Sequence, residues 1–214
     1  MRPKPSRPPW ATLRSLSRFL GANAVRALSK GPLALPWDGH LRTETMRKIR
    51  PSSRKSVLIV YYAAPDILDL VDGLHNVAGV VAVPDLPGTA DDWARRWGAI
   101  VHGQEQQPPV ALIDDPVVVR GLEALTRIVN LSTGLLHPRD KDHANETLRI
   151  LRAHGHQDPS PHIKSWAIRN GWRPDGAADL EILSRKIWSL KSKPSLSSFH
   201  NATVRYERWR NSNI

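Results

Sequence analysis

Hydrophobic positions are densest at Val57–Ala64, an unbroken run of Val, Leu, Ile, Val, Tyr, Tyr and two Ala closed by Pro65 and Asp66. Its β-branched and aromatic residues favour a strand, and the lack of polar alternation predicts one buried on both faces. Ile67, Leu68, Leu70, Val71 and Leu74 then recur at helical spacing up to Val77. Ala78–Val83 reads as a second strand, stopped by Pro84 and Asp85. Thr89 with Asp92 three residues on resembles a capping box, and Trp93 and Trp97 share one helical face. Ala99–His102 is expected as a short third strand, and Val110–Ile113 as a further one beyond Pro108 and Pro109. Asp115-Pro116 opens a helix running to about Asn130, with Pro at the first helical position. Strands alternating with helices predict βαβ units. The expected fold class is α/β, with a small, mostly parallel, three- or four-stranded sheet and flanking helices over residues 56–136.

The flanks read differently. Residues 1–9 carry four Pro and form no regular element. From Trp10 to Lys30, Leu13, Leu16, Leu20, Ala24 and Ala27 mark an amphipathic helix with Arg14, Arg18 and Arg26 on other faces, and Gly31-Pro32 ends it. Residues 31–55 complete a basic N-terminal arm as a linker. After His137-Pro138 the pattern is helical only. Helices are expected at 140–153, from Ser160-Pro161 to Asn170, and from Pro174 to about Leu190. These make a three-helix, helix-turn-helix-like subdomain over 137–192, and residues 193–214 are left as a basic tail.

The charge follows this division. Net charge is +11 overall, built from +11 over 1–55, −6 over 56–136 and +6 over 137–214. Basic ends around an acidic middle point to a polyanionic partner met by the ends: DNA or RNA, or an anionic membrane surface through residues 10–30. No stretch approaches the roughly 18 apolar residues of a spanning helix. The 10–30 segment lacks the continuous apolar centre of a secretory signal. It is rich in Arg and Ser and free of acid, as an organelle transit peptide would be. The expected location is therefore cytoplasmic, or an organelle if the source is eukaryotic. The chain has no Cys, which removes disulfides, thiolate metal sites and cysteine nucleophiles. Eight Trp are spread along its length, and packing accounts for them.

Candidate chemistry lies at the strand ends. Asp66, Asp85, Asp114 and Asp115 each follow a predicted strand, where parallel sheets bind ligands. Gathered on one edge, such carboxylates hold Mg²⁺ and serve phosphoryl transfer; the plainer reading is helix capping. Neither G-x-G-x-x-G nor Gly-Lys-Ser/Thr occurs, so no nucleotide cofactor is implied, and no other cofactor or metal is expected. His137, His143, His154, His156 and His162 crowd within 26 residues. Of these, His154-Gly-His156 with Asp158 could bring two imidazoles and a carboxylate together, but the spacing fits no defined zinc motif.

Ile163-Lys-Ser-Trp-Ala-Ile-Arg-Asn-Gly171 resembles the Trp-Ala-x-x-Asn-Gly segment in the DNA-binding domain of the Lsr2 nucleoid proteins. The likeness covers nine residues and implies a similar helix pair. Arg173-Pro-Asp-Gly176 stands where that family carries its Arg-Gly-Arg minor-groove hook. A base-reading helix needs basic or polar residues at its start, and this one begins with acidic residues. Phosphate contact is therefore expected from Arg47, Lys48 and Arg50 in the arm, and from Arg185, Lys186, Lys191, Lys193, Arg205, Arg208 and Arg210, aided by Tyr206 and Trp209. The expected function is a non-enzymatic, nucleic-acid-associated or regulatory protein that contacts phosphates through its basic termini. The alternatives are a metal-dependent enzyme acting on a phosphate-bearing substrate through the four aspartates, and a membrane-peripheral interaction protein. The sequence does not fix the oligomeric state.

Overall fold

The computed structural model describes residues 17–18, 20–36, 38–49, 53–105 and 110–211. The chain is mixed α/β, and its contacts divide it into two units. The first comprises residues 1–62 and 75–83; the second comprises 63–74 and 84–214.

In the first unit, α1 (Ala22–Leu28) buries Val25 and Leu28. Gly21, at φ 80, interrupts the helix expected over 10–30, of which residues 10–16 and 19 lie outside the described part. The stretch expected as a linker contains a short antiparallel pair, β1 (Leu33–Ala34) with β2 (His40–Leu41). β3 (Ser56–Tyr61) and β4 (Val77–Val83) pair in parallel, with Ile59 opposite Val81 and Tyr61 opposite Val83. Parallel pairing agrees with the expected crossover, but among the described residues this sheet has two strands, not three or four. The other two apolar runs stay irregular, with Ile100 and Val110 exposed and Leu112 buried in the helical core. Burial of β3 on both faces is also overturned. Val57 and Ile59 are 65% and 54% exposed, and Val60 is the strand's one buried residue. A strand with a single pairing partner has no layer to cover its second face.

The second unit is helical: α2 (Pro65–Asp72), α3 (Asp91–Trp97), α4 (Pro116–Thr126), α5 (Pro138–Ala153), α6 (Ser160–Arg169), α7 (Pro174–Trp188) and α8 (Ala202–Asn211). Pro stands in the first turn of five of them, where its missing N–H costs no hydrogen bond. Their apolar stripes meet in one core: Val118, Leu122 and Leu125 from α4, Leu148 and Leu151 from α5, Ile163 and Ala167 from α6, Leu180 and Ile187 from α7. The α6–α7 connection turns at Gly171, φ 88. Trp172 follows it, buried, its Nε1–H donating to Thr126 Oγ1 at 2.9 Å. Residues 202–211, expected as tail, form α8 and bury Ala202 and Trp209.

Charge also holds this unit together. The Arg96 guanidinium donates to Asp72 at 2.6 Å and to Asp69 at 3.3 Å, and the Lys164 ammonium reaches Asp69 at 2.5 Å. Asp72 Oδ1 also accepts the indole N–H groups of Trp93 and Trp97, both at 3.0 Å, which is what their shared helical face serves. Burial pushes the Asp72 pKa up against these donors. The side chains of Arg96 and Asp72 are only 7% and 4% exposed, so either left alone would be a buried, uncompensated charge.

Backbone approaches backbone closely between Gly134, at φ 56 in the 3-10 turn Gly134–Leu136, and Gly176 on α7. A Cβ on Gly176 would lie 2.7 Å from the Gly134 Cα. Ala ordinarily gains about 1 kcal/mol over Gly inside a helix. Here Gly176→Ala should instead lower the unfolding free energy by about 1–3 kcal/mol, through overpacking against backbone that cannot rotate away. Urea unfolding of the two proteins checks this, and a stabilised variant would show that the contact yields.

Candidate functional site

The four aspartates expected at strand ends are placed differently from one another. Asp66 lies in the first turn of α2, exposed, while Ala64 holds the cap position. Asp85 and Asp114 are exposed. Among the described residues, no group of three or more His, Cys, Asp or Glu is placed to hold a metal ion.

Asp115 stands apart from the other three. It is the N-cap of α4, and its Oδ1 accepts the N–H groups of Val117 at 2.9 Å and Val118 at 3.2 Å. Its Oδ2 lies 2.6 Å from His156 Nδ1. A carboxylate only accepts, so Nδ1 donates its hydrogen to Asp115, and Nε2 lies 3.2 Å from the Tyr206 hydroxyl. Asp115, His156 and Tyr206 thus form a continuous chain from the start of α4, through the loop after α5, to α8. Desolvation raises the Asp115 pKa, but the hydrogen bonds from His156, Val118 and Val117 outweigh it, and the carboxyl lies below its ordinary value.

Asp158, the carboxylate expected beside the two histidines, is occupied locally. It accepts from Ser160 N and Oγ at the start of α6. His154 lies face to face with Tyr206, ring centres 3.4 Å apart and planes within 5°. His154 is exposed, yet its pKa is lowered, first by desolvation and then by the charges of His156, Lys193 and Arg210; Glu207 pulls the other way. Lys193, Arg210 and Glu207 therefore lie within electrostatic range of His154.

The residues expected to contact phosphate divide into several groups. Arg47 and Lys48 are exposed in the first unit, and Arg50 lies outside the described residues. Arg185, Lys186, Lys191, Lys193, Arg208 and Arg210 are exposed, with Arg185 paired to Glu181 at 2.5 Å and Arg210 to Glu207 at 3.4 Å. Arg205 is committed internally: it bonds Glu146 and Thr147, and its guanidinium lies 5.5 Å from the Trp209 ring centre. Trp209 itself is 4% exposed, so of the two aromatics expected to help, Tyr206 alone is at the surface layer.

Two cationic residues were not anticipated. Lys141 and Arg149 on α5 border a groove of about 220 Å³ with Lys186 of α7. The readable signal is the spacing Lys141, Asn145, Arg149, which repeats every four residues and so puts all three on one helical face.

Asp115→Asn keeps an oxygen for the cap and removes the charge. The folded pKa is lowered, so the native carboxylate contributes fully above its ordinary value of 3.8, and that contribution is lost as pH falls through the folded value. Near neutral pH the substitution should cost about 1–2 kcal/mol. The gap from the native protein should close on acidification, as read by urea unfolding across pH; a gap that ignores pH would contradict the charge-assisted assignment.

The family described as a domain of unknown function (DUF1889) matches residues 114–210, somewhat under half of the chain. The matched stretch opens one residue before the Asp115 cap and closes at the end of α8, so it contains the Asp115–His156–Tyr206 chain and the α5–α7 groove. No curated protein and no solved structure matches the chain.

Proposed function

We propose that the protein is nucleic-acid-associated and contacts the phosphate backbone through the basic surface of its C-terminal helices. The observation that carries this reading is the exposed His154 ring stacked on Tyr206, with the charges of Lys193 and Arg210 within electrostatic range of it. An aromatic face in a positive field is an arrangement on which a nucleic-acid base stacks while its phosphates are held. Lys191 and Arg208 extend the charge along the same stretch of chain. The start of α7 carries Asp175 and Asp179. Its N-terminus is therefore not used for base reading, and contacts are to backbone and stacked bases rather than to base edges. Such binding is weakly sequence-specific and falls with salt.

A second reading has its own observation. Tyr206, His156 and Asp115 stand in the order of a nucleophile, its base and the group that orients the base. On this reading the protein is an enzyme acting on a phosphate-bearing substrate, with Asp115 as the one of the four candidate aspartates that takes part.

Fluorescence anisotropy with single-stranded and duplex oligonucleotides at two salt concentrations tests the first reading. Binding should be present at low salt and weaken as salt rises. In Lys193→Gln/Arg210→Gln the slope of log affinity on log salt should fall by about two. Absence of binding at low salt, or indifference to salt, would rule the reading out. The same samples, resolved by denaturing electrophoresis, test the second. Strand cleavage by the native protein that disappears in Tyr206→Phe would replace the first reading with the enzymatic one.

A further inference from the structure

Five described arginines are drawn at least partly out of solvent: Arg96, Arg120, Arg149, Arg152 and Arg205. A guanidinium keeps its charge at every physiological pH, so each needs an acceptor. Arg96 has Asp69 and Asp72, and Arg205 has Glu146. Arg120 donates to the Trp209 and Arg210 carbonyls, and Arg152 to those of Ile187 and Leu190; each caps a helix end. Arg149 differs from the other four. Its Nε donates to the Asn145 amide oxygen at 3.1 Å, and no carboxylate or carbonyl meets its two Nη groups among the described residues.

Asn145 holds that guanidinium at the groove between α5 and α7. Lys141, one turn earlier on α5, and Lys186 on α7 border the same groove, and neither makes an ion pair among the described residues. Asp142 is the one carboxylate on its rim, exposed and without an ion pair among the described residues. Three cations against one anion leave an excess of positive charge. Leu183 and Ile187 line the groove with apolar surface, which strengthens any ion pair formed there. Arg152, further along α5, already takes the carbonyls at the end of α7, so that their partial negative charge does not oppose an anion in the groove.

We infer that this groove is a phosphate-binding site, with Arg149 as the fork that grips two oxygens and Lys141 and Lys186 as flanking charges. Phosphate fits better than carboxylate, because its oxygens project in three dimensions and can serve donors on both helices at once. A groove of about 220 Å³ is smaller than the roughly 300–1,000 Å³ of pockets that enclose whole ligands, so it takes the phosphate group and leaves the rest of the ligand outside. Resting on the reading above, the group it takes is one phosphate of the nucleic-acid backbone.

The test follows the Arg149 Nε–H resonance of the full chain by NMR during titration with inorganic phosphate at constant ionic strength, and then with an oligonucleotide. Phosphate should shift the resonance saturably, and the shift should be lost in Lys141→Gln/Lys186→Gln. The oligonucleotide should shift the same resonance and compete with phosphate. Arg149→Gln should weaken oligonucleotide binding about tenfold, the lower end for a hydrogen bond to a charged group. Arg169→Gln, on the exposed end of α6 outside the groove, should leave it unchanged. No phosphate shift, or a shift that survives the double substitution, overturns the site. Oligonucleotide binding that leaves Arg149 unmoved and is equally tight in Arg149→Gln also overturns it, while the nucleic-acid reading stands. A phosphate shift without any oligonucleotide binding leaves the site in place, assigns it to small phosphate ligands, and removes the nucleic-acid reading instead.

Discussion

One carboxylate joins the start of α4 to the loop beyond α5 and to α8. The two oxygens of Asp115 are used separately, Oδ1 for the first N–H groups of α4 and Oδ2 for His156. Because the second oxygen holds the imidazole through Nδ1, it also sets where Nε2 meets the Tyr206 hydroxyl. Tyr206 in turn sets the plane on which His154 lies. The exposed stacking face therefore depends on a helix cap two hydrogen bonds away. The stacked rings are positioned by an interaction that would otherwise be counted as helix capping alone.

The arginines show the same economy of partners. Four of the five withdrawn from solvent are neutralised or capped within the fold, and they join helices distant in sequence: Arg96 to α2, Arg152 to the end of α7, Arg205 to α5 and Arg120 to the end of α8. Each replaces water around the guanidinium with protein oxygen, as burial requires. Arg149 is held by an amide instead. Among the described residues its two Nη groups meet no carboxylate or carbonyl, and this, rather than the overall count of basic residues, distinguishes the groove.

Much of the helical part was readable because its signals are local. Pro116, Pro138 and Pro174 mark helix starts, Asp115 is a capping residue at a helix entry, and Gly171 takes the positive φ of a turn, all visible within a few residues. The sheet was over-read for the same reason. Short apolar runs such as 99–102 and 110–113 have strand-like composition, but pairing depends on a neighbour that composition does not reveal. Instead Leu112 enters the helical core and Ile100 faces solvent. The site was readable only in pieces. Asp115 and the His154-Gly-His156 pair were both visible, yet 41 residues separate Asp115 from His156 and 50 separate His156 from Tyr206. Local spacing favoured Asp158, which the start of α6 already uses.

The path of the chain between the units has a practical consequence. β3 and β4 belong to the first unit, while α2, which connects them, belongs to the second. The second unit is therefore not one continuous segment. A fragment begun just after β4 would keep Arg96 on α3 and lose Asp69 and Asp72 on α2, stranding a guanidinium that is 7% exposed. A fragment that keeps every buried charge partnered must begin either before α2 or after α3. The stretch 114–210 satisfies the second condition, and such limits rather than unit boundaries should guide where this chain is cut.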